Sequence, residues 1–150
     1  MPSWRYSVAL DPIRTAIASG RDLRISYKAA VEVANAIRGK SLEEAKRILE
    51  DVIEFKRPIP FKKFYGKVGH KKGMAAGRYP VKAARAILRV LENAEANAEF
   101  KGLDTSKLWV IHVAAHKGMK IRKYIPRAFG RSTPYFKQLV HVEIGLEERI

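Results

Sequence analysis

Apolar residues recur at helical spacing in three stretches, then switch to alternation near the end of the chain. Over 26–38, Ala30, Val33, Ala34 and Ile37 fall on one face behind Ser26, a residue suited to cap a helix, and Gly39 follows as a stop. A second helix begins at once. Ser41 with Glu44 three positions on is a capping box, and Leu42, Ala45, Leu49, Val52 and Ile53 form the apolar stripe. Glu43 and Arg47 are spaced to pair on the exposed side. The short link between these helices predicts an αα-hairpin. The third helix opens at Pro80, a favoured first helical position, and runs to about Phe100 before Gly102. Ala84, Ile87, Leu88, Leu91, Ala94 and Ala98 mark its core face.

Residues 107–116 and 135–145 read as two strands. Trp109, Ile111, Val113 and Ala115 alternate with Val110, His112, Ala114 and His116, and Val140, Val142 and Ile144 with Leu139, His141 and Glu143. If both arms stay extended toward a turn near Arg127, each has about 15 residues and reaches about 50 Å. A globule of this length has a radius of gyration near 15 Å, so the hairpin should protrude. The expected architecture is α+β: a three-helix body on a small antiparallel sheet with a long protruding β-hairpin. We expect a single domain over 1–150, with the body at about 1–106 plus 139–150. The hairpin spans about 107–145, its distal part about 117–135.

Charge changes the picture most. The 150 residues carry 30 Lys and Arg against 15 Asp and Glu, a net charge of +15. The excess is concentrated: 56–90 holds 11 basic residues and no acid, and 107–137 holds 8 and no acid. The segments between and after them are mildly acidic. A surface built only for solubility intersperses both signs. Acid-free stretches suit surfaces that face phosphates. A hydrophobic content of 47% argues against a disordered basic tail. The absence of cysteine removes disulfides, thiolate metal sites and cysteine catalysis. No apolar run approaches membrane-span length, and Met1–Arg5 lacks the apolar core of a secretory leader, which suits a cytoplasmic setting.

The third helix is charged against its own dipole. Arg78, Lys82, Arg85 and Arg89 form a ridge at the N-terminal end, whereas Glu92, Glu95 and Glu99 follow in later turns. A polyanion at the N-terminal half would offset that arrangement. The preceding loop, 56–79, has two prolines and four glycines and reads as irregular, either ordering on a partner or acting as a flexible linker. Its aromatics Phe61, Phe64, Tyr65 and Tyr79 interleave with Lys62, Lys63, Lys67, Lys71 and Lys72, a mixture suited to base stacking and phosphate contact. For Phe61 and Phe64, tucking under the helices is an equally good expectation. The glycines are not those of a P-loop, since no Gly-Lys-Ser/Thr follows them. The distal hairpin carries Lys117, Lys120, Arg122, Lys123, Arg127 and Arg131 among the apolar Met119, Ile121, Tyr124, Ile125 and Phe129. An isolated ribbon is marginal in water, so RNA is expected to hold it.

Enzyme chemistry has little to stand on. Of His70, His112, His116 and His141, the pair His112 and His116 shares a strand face, but four residues along a strand span roughly 13 Å, too far for one ion. No carboxylate lies near them in sequence to serve as a general base. No catalytic residue, metal site, cofactor or small-molecule substrate is expected.

Several blocks in order make a specific resemblance: Ile37–Lys40, Gly77–Ala84, Asn97–Glu99 and Pro126–Arg131, with Tyr6–Val8 and Gly145–Glu148 at the ends. The chain resembles the universal large-subunit ribosomal protein L-twenty-two family over essentially its full length. The basic insertion at 56–79 fits the archaeal and eukaryotic form. The resemblance implies a structural constituent of the large ribosomal subunit that binds large-subunit rRNA and supports assembly. Its hairpin would help line the nascent-polypeptide exit tunnel, near ribosomal protein L-four and the nascent chain. Pro126, Arg127, Ala128, Gly130 and Arg131 match the hairpin-end motif, and Phe129 fills its variable position. The expected rRNA-facing residues are the loop lysines already named with His70, the four ridge cations and the six hairpin cations. The alternatives are a free RNA chaperone or architectural protein and, in third place, a nucleic-acid enzyme using histidines.

Overall fold

Both capping serines act as their positions predict. In the computed structural model, which describes residues 5–149, Ser26 Oγ accepts from the Ala29 amide at the start of α1 (Tyr27–Ile37). Ser41 Oγ accepts from the Glu44 amide at the start of α2 (Leu42–Ile53). The reading of Met1–Trp4 lies outside the described residues. The return half of the capping box is replaced: Glu44 turns its carboxylate to Lys40 at 2.9 Å. Among the described residues Glu43 and Arg47 form no ion pair, in keeping with the few tenths of a kcal/mol such an exposed pair offers.

Gly39 ends α1 with a φ of 78°, a left-handed conformation that a Cβ would strain. The turn it makes is tied to β4 (Leu108–Ile121). The Gly39 amide donates to Val110 O and the Val110 amide to Lys40 O, both at 2.8 Å, while Arg38 Nη2 donates to Val113 O at 2.6 Å. The Ile37–Lys40 block is therefore the joint between the helical pair and the sheet. Pro80 caps α3 (Val81–Phe100) rather than entering it, and no side chain bonds to that N-terminus. The core contains Ile37, Leu49, Val52, Ile87, Leu91 and Ala94 as expected. It also takes Ile48, Ala83 and Val90, whereas Ile53 and Leu88 are only partly buried against it.

The sheet has three antiparallel strands in the order β1 (Thr15–Leu23), β7 (Lys137–Glu148), β4. The first strand is a finding beyond the sequence pattern. It pairs Ala16 with Leu146 and Ala18 with Ile144, so its core face is built from alanines, too small to announce an amphipathic strand. Asn97 Nδ2 donates to Ile17 O at 2.9 Å and pins α3 to this edge. β7 presents Val140, Val142, Ile144 and Leu146 to the helices. The alternation expected along β4 is broken by a bulge between Val110 and His112, which leaves Leu108, Val110 and Val113 all in the core.

Beyond Lys117 the hairpin leaves the body. The ladder shifts register between Lys117 and Lys120, then continues as β5 (Tyr124–Pro126) paired with β6 (Ser132–Pro134). A short helical turn at Ala128–Gly130 closes the tip. The free part, Lys117 to Arg127, reaches about 30 Å at roughly 3.3 Å per residue, shorter than the expected arm because the base of the hairpin is sheet core. No helix among the described residues is long and apolar enough to cross a membrane.

Candidate nucleic-acid interface

The basic loop between α2 and α3 is fastened from below by one carboxylate. Glu32, on α1 and 1% exposed, accepts from the amides of Lys62, Lys63 and Phe64 at 3.0, 2.8 and 2.9 Å. Three successive amides aimed at one anion form a concave nest, which compensates the burial of a charged side chain. A two-residue ladder, β2 (Ile59–Pro60) with β3 (Gly77–Arg78), closes the base, and the Phe61 amide donates to Ala76 O at 2.9 Å. Phe61 is buried in the core. The loop thus holds its shape through the body, which corrects the expectation of a segment that is flexible or waits for a partner. Its signal was Glu32, an acid among the apolar positions of the first helix.

The aromatics divide accordingly. Phe64 meets Tyr27 edge-on at 6.1 Å between ring centres, and Tyr79 meets Phe55 at 5.5 Å. Among the loop's own rings, Tyr65 is the one well exposed. Cations lie over several of these rings: Lys63 over Phe64 at 5.6 Å, Lys71 over Tyr79 at 5.8 Å and Arg78 over Phe61 at 5.9 Å. Lys117 of the arm lies over Tyr27 at 5.2 Å, so the Tyr27–Phe64 pair is where loop and arm meet. Lys62, Lys67, His70 and Lys72 are exposed, and His70 Nδ1 sits 3.3 Å from Ala75 O.

The ridge on α3 lies open to solvent. Arg78, Lys82, Arg85 and Arg89 are all exposed, and the first turn of α3 holds no acid, nor its last turn a base. Of the carboxylates in the later turns, Glu95 is paired to Lys46 of α2. Arg24 and Lys137 stand beside this ridge. Both were missed in sequence, because each is a lone cation whose neighbourhood only the fold creates. On the arm, Lys120, Arg122, Lys123, Arg127 and Arg131 are exposed, with Lys120 over Phe136 at 5.7 Å and Arg127 Nε donating to Thr133 Oγ1 at 3.2 Å. At the tip, Pro126, Ala128 and Gly130 are exposed too. Phe129 is 94% exposed and held at a φ of 59°, a conformation costly for a residue with a Cβ.

The ion pairs among the described residues engage Lys40, Lys46, Lys56, Lys107, Arg149 and three histidines. None engages a residue expected to face RNA. With no carboxylate to satisfy them, these cations are available to an external anion.

The histidines keep different company from that expected. Glu143 on β7 lies opposite Ala114, between His112 and His116 on one face of the sheet. Its Oε2 is 3.5 Å from His112 Nε2 and 3.8 Å from His116 Nε2. A carboxylate distant in sequence therefore stands beside both, and one oxygen reaches the pair that extended geometry had set apart. Ser7 joins them: its hydroxyl donates to Glu143 at 2.6 Å and its amide at 3.1 Å. Burial pushes the Glu143 carboxyl up, but Ser7, His112 and His116 together outweigh it and hold the group below its ordinary value. The arrangement is not a hydrolase triad. Ser7 and Glu143 crowd the same His112 nitrogen, so no ring nitrogen relays between them. It fastens the segment before β1 across the sheet, where Gly145 leaves room for Leu10: a Cβ there would stand 2.6 Å from Leu10 Cδ1. Among the described residues no group of three His, Cys, Asp or Glu is placed to hold a metal.

A family model described as ribosomal protein L22p/L17e matches residues 18–147. The chain belongs to this family. Relatives named large ribosomal subunit protein uL22 bear out the resemblance. The protein of Thermofilum pendens is 59% identical over 149 residues, covering 99% of each chain. That of Archaeoglobus fulgidus is 52% identical, covering 99% of this chain and all of its own. That of Methanocaldococcus jannaschii is 50% identical, covering 99% and 97%. The L22p/L17e family is one of structural ribosomal proteins and not of enzymes.

Proposed function

We infer that this chain is a structural constituent of the large ribosomal subunit, resident in the cytoplasmic ribosome and bound to large-subunit rRNA. The observation that carries the RNA contact is the set of unpaired cations on loop, ridge and arm. A protein of net charge +15 that leaves these groups without a carboxylate partner among the described residues presents them to phosphate. The residues assigned to rRNA are Lys62, Lys63, Lys67, His70, Lys71, Lys72, Arg78, Lys82, Arg85, Arg89, Lys117, Lys120, Arg122, Lys123, Arg127 and Arg131. The chain acts as one domain whose body sits against rRNA while the arm passes deeper into the particle.

The tip, Pro126–Arg131, lines the nascent-polypeptide tunnel in this proposal, beside a loop of ribosomal protein L-four. An exposed cationic arm with aromatic and aliphatic side chains suits a partly dry nucleoprotein interior. In this reading the protein has no catalytic role, and the Ser7–His112–Glu143 cluster lacks relay geometry. Sedimentation of a cell extract on a sucrose gradient tests the reading. The protein should travel with large subunits and be released only by salt that strips ribosomal proteins. Recovery mainly as free protein would favour a soluble RNA chaperone instead.

A further inference from the structure

The arm, the ridge and the segment between β1 and α1 enclose a groove whose walls come from four separate parts of the chain. Its deeper end, about 540 Å³, is lined by Arg24, Ile25, Ser26, Lys82, Ile121, Lys123, Lys137, Gln138 and Leu139. A shallower extension of about 260 Å³ shares Arg24, Ile25 and Lys82 and continues along α3 past Arg85 to Arg89. The groove thus has six cations on its rim and no acid anywhere in its lining. None of the six is in an ion pair or donates a side-chain hydrogen bond within the described residues.

The floor differs from the rim. Ile25 and Leu139 are 7% and 6% exposed, and Ile121 is half-buried beside them. An aliphatic floor does nothing for a phosphate but accommodates the face of a base. Two polar groups stand at its edge. Gln138 Nε2 is committed to Gly118 O at 2.7 Å and Leu139 O at 3.1 Å, which fixes the amide orientation and leaves the side-chain oxygen as a free acceptor. Ser26 Oγ accepts from Ala29, so its hydroxyl proton remains to be donated. The deeper volume falls within the roughly 300–1,000 Å³ that holds a small ligand such as a nucleotide.

We propose that this groove seats one unpaired nucleotide of the RNA, its base on the aliphatic floor and its flanking phosphates on the cationic rim. This rests on the rRNA-binding reading above and makes it specific. The strand enters along Arg89 and Arg85, turns its base inward past Lys82 and Arg24, and leaves between Lys123 and Lys137. The free Gln138 oxygen favours a base with an amino group or ring N–H on the presented edge, and Ser26 supplies the complementary donor. Recognition of an unstacked base in a pocket is the usual route to sequence specificity on RNA, and the phosphates supply the affinity.

The test uses the full chain and a full-length large-subunit rRNA transcript, with affinity measured over a salt series and base reactivity probed chemically. Arg24→Ala with Lys137→Ala removes two exposed rim cations, and thermal melting checks that the variant remains folded. The slope of log K against log salt should fall by about 1.4, near 0.7 for each single-strand phosphate. Wild-type protein should protect the base of an unpaired nucleotide, and Gln138→Leu should restore its reactivity while leaving the slope unchanged. A reduced slope with no base protected in wild type would show a strand passing over the groove and overturn the proposal. An unchanged slope in the double variant, with wild type still binding steeply, would overturn it while leaving the rRNA reading intact. Absence of any wild-type binding to rRNA would remove both.

Discussion

The loop between α2 and α3 and the distal arm look alike in sequence and differ in what holds them. Both lie in acid-free stretches, both interleave aromatics with Lys and Arg, and both break regular periodicity. The loop nevertheless rests on a buried carboxylate that accepts three of its amides, a two-residue ladder and a phenylalanine in the core. From Arg122 to Lys137 the arm contributes no buried side chain, and its ladder is interrupted between Ile121 and Tyr124. A two-stranded ribbon with no third element is marginal alone. On the proposed reading, basic, carboxylate-free sequence marks where the RNA binds. It does not say whether the segment is ordered before the partner arrives. That depends on whether the body reaches out with an anion and an apolar seat.

The difference can be broken most severely at Glu32. Glu32→Ala should destabilise the protein by about 3 kcal/mol, since three amides lose a charged acceptor at roughly 1 kcal/mol or more each. Glu32→Gln, which keeps one acceptor oxygen, should lose less. Urea unfolding measures both, and proteolysis should open first at Lys62 and Lys63 in the alanine variant. Equal stability of wild type and alanine variant would mean the loop is held by its ladder and Phe61 alone.

A smaller effect is expected from the pH dependence of Glu143. The folded-state value of Glu143 is depressed below the ordinary 4.5. Its contribution is therefore complete above that value and lost as pH falls through the folded value, when the unfolded chain binds the proton more readily. Urea midpoints should drop below about pH 4.5, and Glu143→Gln should flatten that part of the profile. An identical acid limb in the variant would assign the loss to other carboxylates.

The smallest expected effect is at the arm. Replacing Arg122–Arg131 by a short glycine-containing turn should change the unfolding free energy by less than about 0.5 kcal/mol, because no core contact is lost. One cooperative transition should remain. Loss of that transition would show that the arm is structurally part of the body.

How much of this was legible in the chain follows from where each signal lies. Helices whose caps and stripes are local, such as Ser41 with Leu42, Ala45 and Leu49, were readable to within a residue or two. The strand β1 was not, because its core face is made of Ala16 and Ala18. The bulge at Ile111 was hidden for a similar reason: both registers place apolar side chains inward until Leu146 and Gly145 fix the pairing. The exposed cations of the ridge and arm were visible as composition. The loop's anchor, Glu32, and the company of the histidines, Glu143 with Ser7, were not, since each is a pairing between residues far apart in sequence. Arg24 and Lys137 share that fate: apart in sequence they are isolated charges, and together they complete a groove.

Amide hydrogen exchange on the free protein and on its complex with large-subunit rRNA tests the contrast between loop and arm most directly. The amides of Phe61 to Phe64 should exchange slowly in both states, near the limit set by global unfolding. The amides from Arg122 to Tyr135 should exchange rapidly in the free protein and slow by at least about tenfold in the complex. Protection of the arm already in the free protein, or rapid exchange of Phe61–Phe64 until RNA is added, would contradict the account.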